Sequence, residues 1–144
     1  MQEAQRAKSA LIIAPVAKTN SSTASATYDL LGADYATIRI ALSSAINTDA
    51  VGPTITISEA DTSNSTAFAT ISAARTAEAI TAAKEVVYHI DTRLRKRYLK
   101  LAVNPGTTTN DNVTVAAIGV LTRKEQLPAS TSDMVASGSV VVIV

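Results

Sequence analysis

The sequence predicts an all-β protein, an antiparallel β-sandwich of about eight short strands. Three observations lead to this prediction. Apolar and polar residues alternate in several short segments, as they do in strands with one buried face. Clusters of Gly, Pro, Ser, Thr, Asn and Asp separate these segments at fairly regular intervals. Long helical patterns do not alternate with the strands, so a doubly wound nucleotide-binding fold is not expected.

Five segments of the first half carry the pattern. Residues 9–18 form an apolar run, and residues 19–27 form a Ser/Thr/Asn-rich cluster that predicts a loop. Residues 36–42 alternate cleanly, with isoleucine and leucine on one face, and predict a half-buried strand. Residues 54–58 alternate in the same way, and residues 66–72 complete the strands predicted in this half.

The second half continues the pattern after one ambiguous stretch. Residues 73–84 are rich in helix formers but contain a single large apolar side chain, so a short helix and an extended excursion are both open. Strands are predicted at residues 85–91, 96–103 and 113–124. We divide the chain into an N-terminal arm at 1–8, a sandwich domain at 9–127 and a C-terminal segment at 128–144.

Composition restricts the function. The 144 residues carry a formal net charge of +1 at pH 7, so no strong field attracts nucleic acid or an acidic membrane. Hydrophobic residues make up 47% of the chain but aromatic residues only 3%, which suits thin β layers and subunit contacts better than a substrate pocket. Cysteine is absent and there is one histidine, which disfavours thiolate, zinc and iron–sulfur chemistry. We expect no enzyme activity and no cofactor.

Targeting and membrane segments are not expected either. The opening residues are polar, and the apolar stretch at 10–17 is short and interrupted by Pro15, unlike the core of a signal peptide. No stretch approaches the roughly 20 apolar residues of a membrane-spanning helix. The expected compartment is the cytoplasm or an assembly made there.

Two short motifs favour ordinary structural roles. Residues 61–65 match an Asp-x-Ser-x-Ser pattern that holds a divalent cation in some adhesion domains, but that motif belongs at a strand end of an α/β sheet. We predict a turn there. His89 could serve as the base of a Ser-His-Asp triad, but the chain has no Gly-x-Ser-x-Gly nucleophile elbow. We predict an exposed or edge-of-core histidine, with no catalytic or metal-binding residues.

The densest charge cluster, at residues 93–100, is a candidate protein interface. On a strand, Arg93, Arg95 and Arg97 would lie on one face and suit carboxylates of a neighbouring subunit. A nucleic-acid interface would use the same row, with Tyr98 stacking on bases. The near-neutral chain and the single interleaved aromatic disfavour nucleic acid, and a solvated face is the third interpretation.

The C-terminus is the second candidate interface. It consists of five β-branched residues: Val140, Val141, Val142, Ile143 and Val144. An uncovered edge of this composition would promote aggregation. Because the run is apolar on both faces, we predict a strand in a sheet buried on both sides, at a junction between subunits.

Three segments resemble small virion proteins of tailed bacteriophages that decorate or cement the head. They are residues 28–37, 90–101 and 104–108, and the resemblance spans roughly residues 9–125. It implies a β-sandwich or jelly-roll fold, assembly as a homodimer or homotrimer, and the major capsid protein as partner. It also implies a location on the capsid surface after synthesis in the host cytoplasm, and it supplies no active-site residues.

The expected function is therefore structural: a self-associating sandwich that binds and stabilises the assembled capsid. A ligand that binds the assembled shell and not its free subunits stabilises the shell. A carbohydrate-binding or tail-associated β-sandwich is one alternative, although four Tyr and no Trp leave little for an aromatic platform. A pilin-like filament subunit is another, disfavoured by the missing signal segment and cysteines.

Overall fold

A computed structural model describes residues 7–19, 22–43, 53–64, 66–76, 83–104, 113–122 and 140–143. Regular structure in these ranges consists of strands. No helix in this part of the chain could span a membrane.

Nine strands form two sheets in the described ranges. They are β1 (Ala7–Lys18), β2 (Ala24–Asp29), β3 (Tyr35–Leu42), β4 (Thr54–Ala60), β5 (Ala69–Thr76), β6 (Lys84–Asp91), β7 (Tyr98–Asn104), β8 (Val113–Thr122) and β9 (Val140–Ile143).

The first eight strands form a jelly roll. They pair antiparallel as nested partners, β1 with β8, β2 with β7, β3 with β6 and β4 with β5. Two more antiparallel pairs, β3–β8 and β4–β7, join these partners side by side. The sheet orders are β1-β8-β3-β6-β9 and β2-β7-β4-β5. Eight antiparallel strands nested in two sheets are the jelly-roll arrangement, so the predicted fold class is confirmed.

The core lies between the two sheets. Because side chains alternate along a strand, every second residue of the central strands points inward. The large side chains that are almost fully buried include Ile38, Ile40, Ile55, Ile57, Tyr88, Ile90, Leu99, Leu101, Val103, Val113 and Val115. The clean alternation predicted for residues 36–42 and 54–58 corresponds to β3 and β4 and is confirmed.

The edge strand β1 is irregular. Its register against β8 shifts between Leu11 and Ile13 and again between Ile13 and Val16. Pro15 lies in the second irregularity, and proline is tolerated on an edge strand because its missing N–H faces no partner there. Such bulges protect an edge from pairing with another chain.

β9 is added to the jelly roll as a parallel strand. It pairs with β6 of its own chain, from Val86 opposite Val140 to His89 opposite Ile143, at the edge of the five-stranded sheet. A strand at this position was predicted, and its placement against the chain's own β6 is a finding. A junction with a second subunit stays a prediction, and Val144 lies outside the described residues.

Several element boundaries differ from those predicted. The predicted loop at 19–27 gives way to β2, because Ala24–Asp29 pairs along its whole length with β7. Residues 73–76 belong to β5, and residues 77–82 lie outside the described ranges. Ala7 and Lys8, assigned to an N-terminal arm, are the first residues of β1; residues 1–6 and the segment at 128–139 are not described.

Candidate protein-interaction surface

Two loops at one end of the sandwich are fastened to each other. They are residues 30–34 between β2 and β3 and residues 92–97 between β6 and β7. The backbone N–H of Thr92 donates to Asp34 O at 2.9 Å, and its hydroxyl donates to Ala33 O at 2.7 Å. The N–H of Leu30 donates to Arg97 O at 2.8 Å. We call these two loops the loop end.

The first loop turns sharply at a glycine. The N–H of Ala33 donates to Leu30 O at 2.9 Å, which closes a four-residue turn. Gly32, at the third position, has φ of 79°, a conformation that favours glycine. The N–H of Leu31 is held by the Asp29 carboxylate at 3.0 Å. This turn projects Leu31, whose exposed fraction is 71%.

The second loop also has an aspartate that accepts a backbone N–H and a hydrogen-bonded turn. The Asp91 carboxylate accepts the N–H of Arg93 at 3.1 Å, two residues along, as Asp29 does for Leu31. The N–H of Arg95 donates to Thr92 O at 3.1 Å, which closes a turn around Leu94. Leu94 is 94% exposed. Each loop therefore presents one leucine to solvent from a hydrogen-bonded turn.

Most of the charged side chains at the loop end form ion pairs. Arg93 binds Asp91 through Nε–Oδ1 at 2.9 Å and Nη2–Oδ2 at 2.6 Å. Arg97 binds Asp29 in the same forked way, at 3.0 and 2.8 Å. Lys96 Nζ lies 2.7 Å from Asp61 Oδ2. A planar guanidinium matches a carboxylate with two parallel hydrogen bonds, so each fork fixes the arginine's direction.

These pairs shift the acidities in the expected directions. Hydrogen bonds from Arg93 lower the pKa of the Asp91 carboxyl to about 2. Arg97 lowers the pKa of Asp29, and the hydrogen bond to Asp61 raises the pKa of Lys96. The Asp91 and Asp29 carboxylates are therefore ionised at neutral pH, and each cancels the charge of its arginine partner.

The structure corrects the prediction of a basic row. Residues 93–97 form a loop and not a strand, so Arg93, Arg95 and Arg97 do not form a row on one face of a strand. Arg93 and Arg97 bind carboxylates of their own chain. No carboxylate among the described residues forms an ion pair with Arg95. Arg97 also lies over the Tyr98 ring, 5.0 Å from its centroid, on the side chain that the nucleic-acid interpretation assigned to base stacking.

The exposed leucines were missed by the sequence reasoning. A leucine beside a Gly in a turn, and a leucine within a basic run, are the signals that could have drawn attention to Leu31 and Leu94. A second exposed apolar pair lies elsewhere, on the outer face of the five-stranded sheet. It consists of Leu11 and Ile118, register partners that are 60% and 48% exposed.

The two other sequence motifs have structural surroundings. Asp61 is held by Lys96, and Ser63 Oγ donates to Asn64 Oδ1 at 2.8 Å; Ser65 lies outside the described residues. His89 is buried, with Nδ1 3.1 Å from Thr37 Oγ1. In the part of the chain that the structure describes, no three His, Asp or Glu side chains are placed to hold a metal ion.

Comparisons with known proteins supply no family. No family model matches the chain, and no curated protein matches it. Among solved structures, it is similar to one described as "CBM4 structure and function". The two share 14% sequence identity and a TM-score of 0.44 over 81% of this chain and 71% of the other. The fold described above therefore rests on the strand pairing of this chain itself.

Proposed function

We propose that the protein is a non-enzymatic structural protein that binds and stabilises the assembled capsid of a tailed bacteriophage, as a decoration or cement protein. It is made in the host cytoplasm and acts on the capsid surface, with the major capsid protein as its partner. The observation that carries the proposal is the pair of leucines, Leu31 and Leu94, held exposed on two fastened loops.

The loop end is suited to contact with another protein. Its leucines lie on turns whose backbone bonds already exist in the free chain, so little conformational freedom is lost on binding. Burying a leucine contributes roughly 1.5–3 kcal/mol. Neighbouring charges are largely cancelled within the chain, so the partner need not supply many counter-charges. Arg95, in contrast, suits a carboxylate on the partner.

The capsid is favoured as partner because the segments that resemble head-decoration proteins include the loop end. These segments include residues 28–37 and 90–101, which contain the two loops of the loop end. Many copies of a modest contact bind a shell firmly through their number. Self-association as a homodimer or homotrimer is part of this proposal.

The test uses capsids that lack the protein, prepared from the phage that encodes it. Purified protein is added back and the bound fraction is measured by cosedimentation. Replacing both leucines, L31S with L94S, should weaken binding by about a hundredfold or more, because two buried anchors are lost. Circular dichroism establishes that the variant keeps its β structure.

The matched control replaces two exposed apolar residues elsewhere, L11S with I118S on the outer sheet face. This variant should bind as the unaltered protein does. Equal loss in both variants, or full binding by the first, would show that the loop end is not the contact surface. Soluble polysaccharides are tested in parallel. Binding to them and not to capsids would replace this proposal with the carbohydrate-binding alternative.

A further inference from the structure

The strand β6 is buried on both of its faces. Val86, Tyr88 and Ile90 point into the core between the sheets. The intervening residues, Val87 and His89, lie on the outer face of the five-stranded sheet, yet are only 1% and 6% exposed. Toward β8 and β1 the same face is open, as the exposed Ile118 indicates. The outer face is therefore covered along β6, next to β9.

The surroundings of His89 do not stabilise a charged imidazolium. Its Nδ1 lies within hydrogen-bond distance of Thr37 Oγ1, and its Nε2 is buried with no hydrogen-bond partner among the described residues. An imidazolium has two N–H donors. Among the described residues the second N–H would have no acceptor, and an unpaired buried charge is costly.

The charged groups around His89 do not favour the protonated form. Arg39 of β3 lies on the same face and is paired with Glu85 of β6, Nε–Oε1 at 2.9 Å. Asp91 of β6 is occupied by Arg93. β8 contributes Ile118 and Val120 to this face, and the described residues of β9 are all apolar. Consistent with this, burial and then Arg39 lower the pKa of His89 below 6.5.

We propose that protonation of His89 releases β9 from β6 while the eight-stranded jelly roll stays folded. His89 is the register partner of Ile143, so it lies where β9 is paired. β9 pairs through four residues and on one side, whereas each strand of the jelly roll belongs to an antiparallel ladder of greater length. Parallel pairing is slightly weaker per residue as well. β9 is therefore the element that a buried charge at His89 detaches first.

Release has a consequence for association. It frees Val140–Ile143 and exposes the backbone groups of β6 that had paired with it. Unpaired strand edges bind other strands, including those of a second copy. Acid would thus turn a strand docked within one chain into one that joins chains. This inference is independent of the loop end and of the proposed capsid partner.

Hydrogen exchange of the full chain tests the proposal. Exchange is followed by mass spectrometry at about pH 7.5 and about pH 5, corrected for the intrinsic pH dependence of exchange. At the lower pH, protection of the β9 amides should fall by about tenfold or more, whereas β3 and β8 keep theirs. In H89Q, whose side chain does not titrate, the β9 amides should be equally protected from exchange at both pH values.

Two further measurements test whether the acid response comes from His89. E85Q removes a nearby carboxylate and should retain the acid response, since the response belongs to the imidazole. Because the sequence has one histidine, its ring resonance can be titrated by NMR in the full chain whatever the variants do. A ring that titrates at or above 6.5, or β9 protection that survives acid, would overturn the proposal. So would an equal acid loss in H89Q.

Discussion

At the scale of single residues, Gly119 of β8 shows how packing between the two sheets limits the size of a side chain. A Cβ at this position would lie 2.7 Å from Ile12 Cδ1 and 2.8 Å from Tyr28 Cε1. Both distances are shorter than carbon atoms tolerate. The Tyr28 ring, from the four-stranded sheet, is therefore packed against the bare backbone of Gly119.

Adding a methyl group at this position should destabilise the protein. We expect G119A to lower the free energy of unfolding by about 1–3 kcal/mol, the usual cost of overpacking, although alanine is ordinarily preferred to glycine within a strand. Urea unfolding measures the change. In a Tyr28→Leu background, where the ring is absent, G119A should cost less. Equal costs in the two backgrounds would place the strain elsewhere.

The sequence could predict the strand that contains Gly119 but not the role of the glycine. Alternation of apolar residues identifies β8 from local information. The reason for a glycine at this point is a tyrosine 91 positions earlier in the chain, brought there by the packing of one sheet on the other. The same limit applies to Leu31 and Leu94, because exposure depends on what the rest of the fold leaves uncovered.

At the scale of elements, Thr92 fastens the β6–β7 loop to the β2–β3 loop. Its side chain is buried, and its hydroxyl donates to Ala33 O at 2.7 Å. Its backbone N–H bonds the same loop at Asp34 O. Leu31 and Leu94 are thus carried by loops that share one buried polar anchor.

Removing the hydroxyl should loosen the loop end without changing the fold. T92V keeps the shape of the side chain but leaves Ala33 O without its donor, at a cost of about 1–3 kcal/mol in unfolding free energy. The expected loss is read by thermal or urea unfolding, and faster amide exchange in residues 30–34 should accompany it. T114V, the same change at an exposed site of β8, serves as the control and should be nearly neutral. Similar losses in both would argue against the anchor.

Elements were predicted well where local pattern and pairing agree and poorly where they compete. In β2, Ser and Thr favour turns by their own hydrogen bonding, but six residues of antiparallel pairing with β7 outweigh that preference. In β5, helix formers at residues 73–76 are extended because Arg75 and Thr76 pair with β4. The ion pair that holds Arg97 in the β6–β7 loop could not be predicted, because its partner Asp29 is distant in sequence.

At the scale of the whole molecule, the nested pairing makes the fold depend on distant parts of the chain. The first and last strands of the jelly roll pair with each other, as do the second and seventh. Composition and periodicity indicate an antiparallel sandwich, but the order of strands follows from how these pairs nest. β9 stands outside that nesting, since it contacts the jelly roll along one side of β6.

Removing β9 should therefore leave the jelly roll folded but make it associate. In a chain lacking residues 139–144, circular dichroism should retain its β signature, because among the described side chains the buried core cluster comes from the first eight strands and the loop after β2. β6 then becomes an uncovered edge bearing Val87, and such edges pair with one another. Light scattering should show a mass that rises with concentration at neutral pH, and a charge placed on the edge, V87K, should suppress the rise.

A truncated chain that is unfolded would make β9 part of the folding core. One with the same mass as the full chain would mean that β9 neither blocks nor forms a contact between copies.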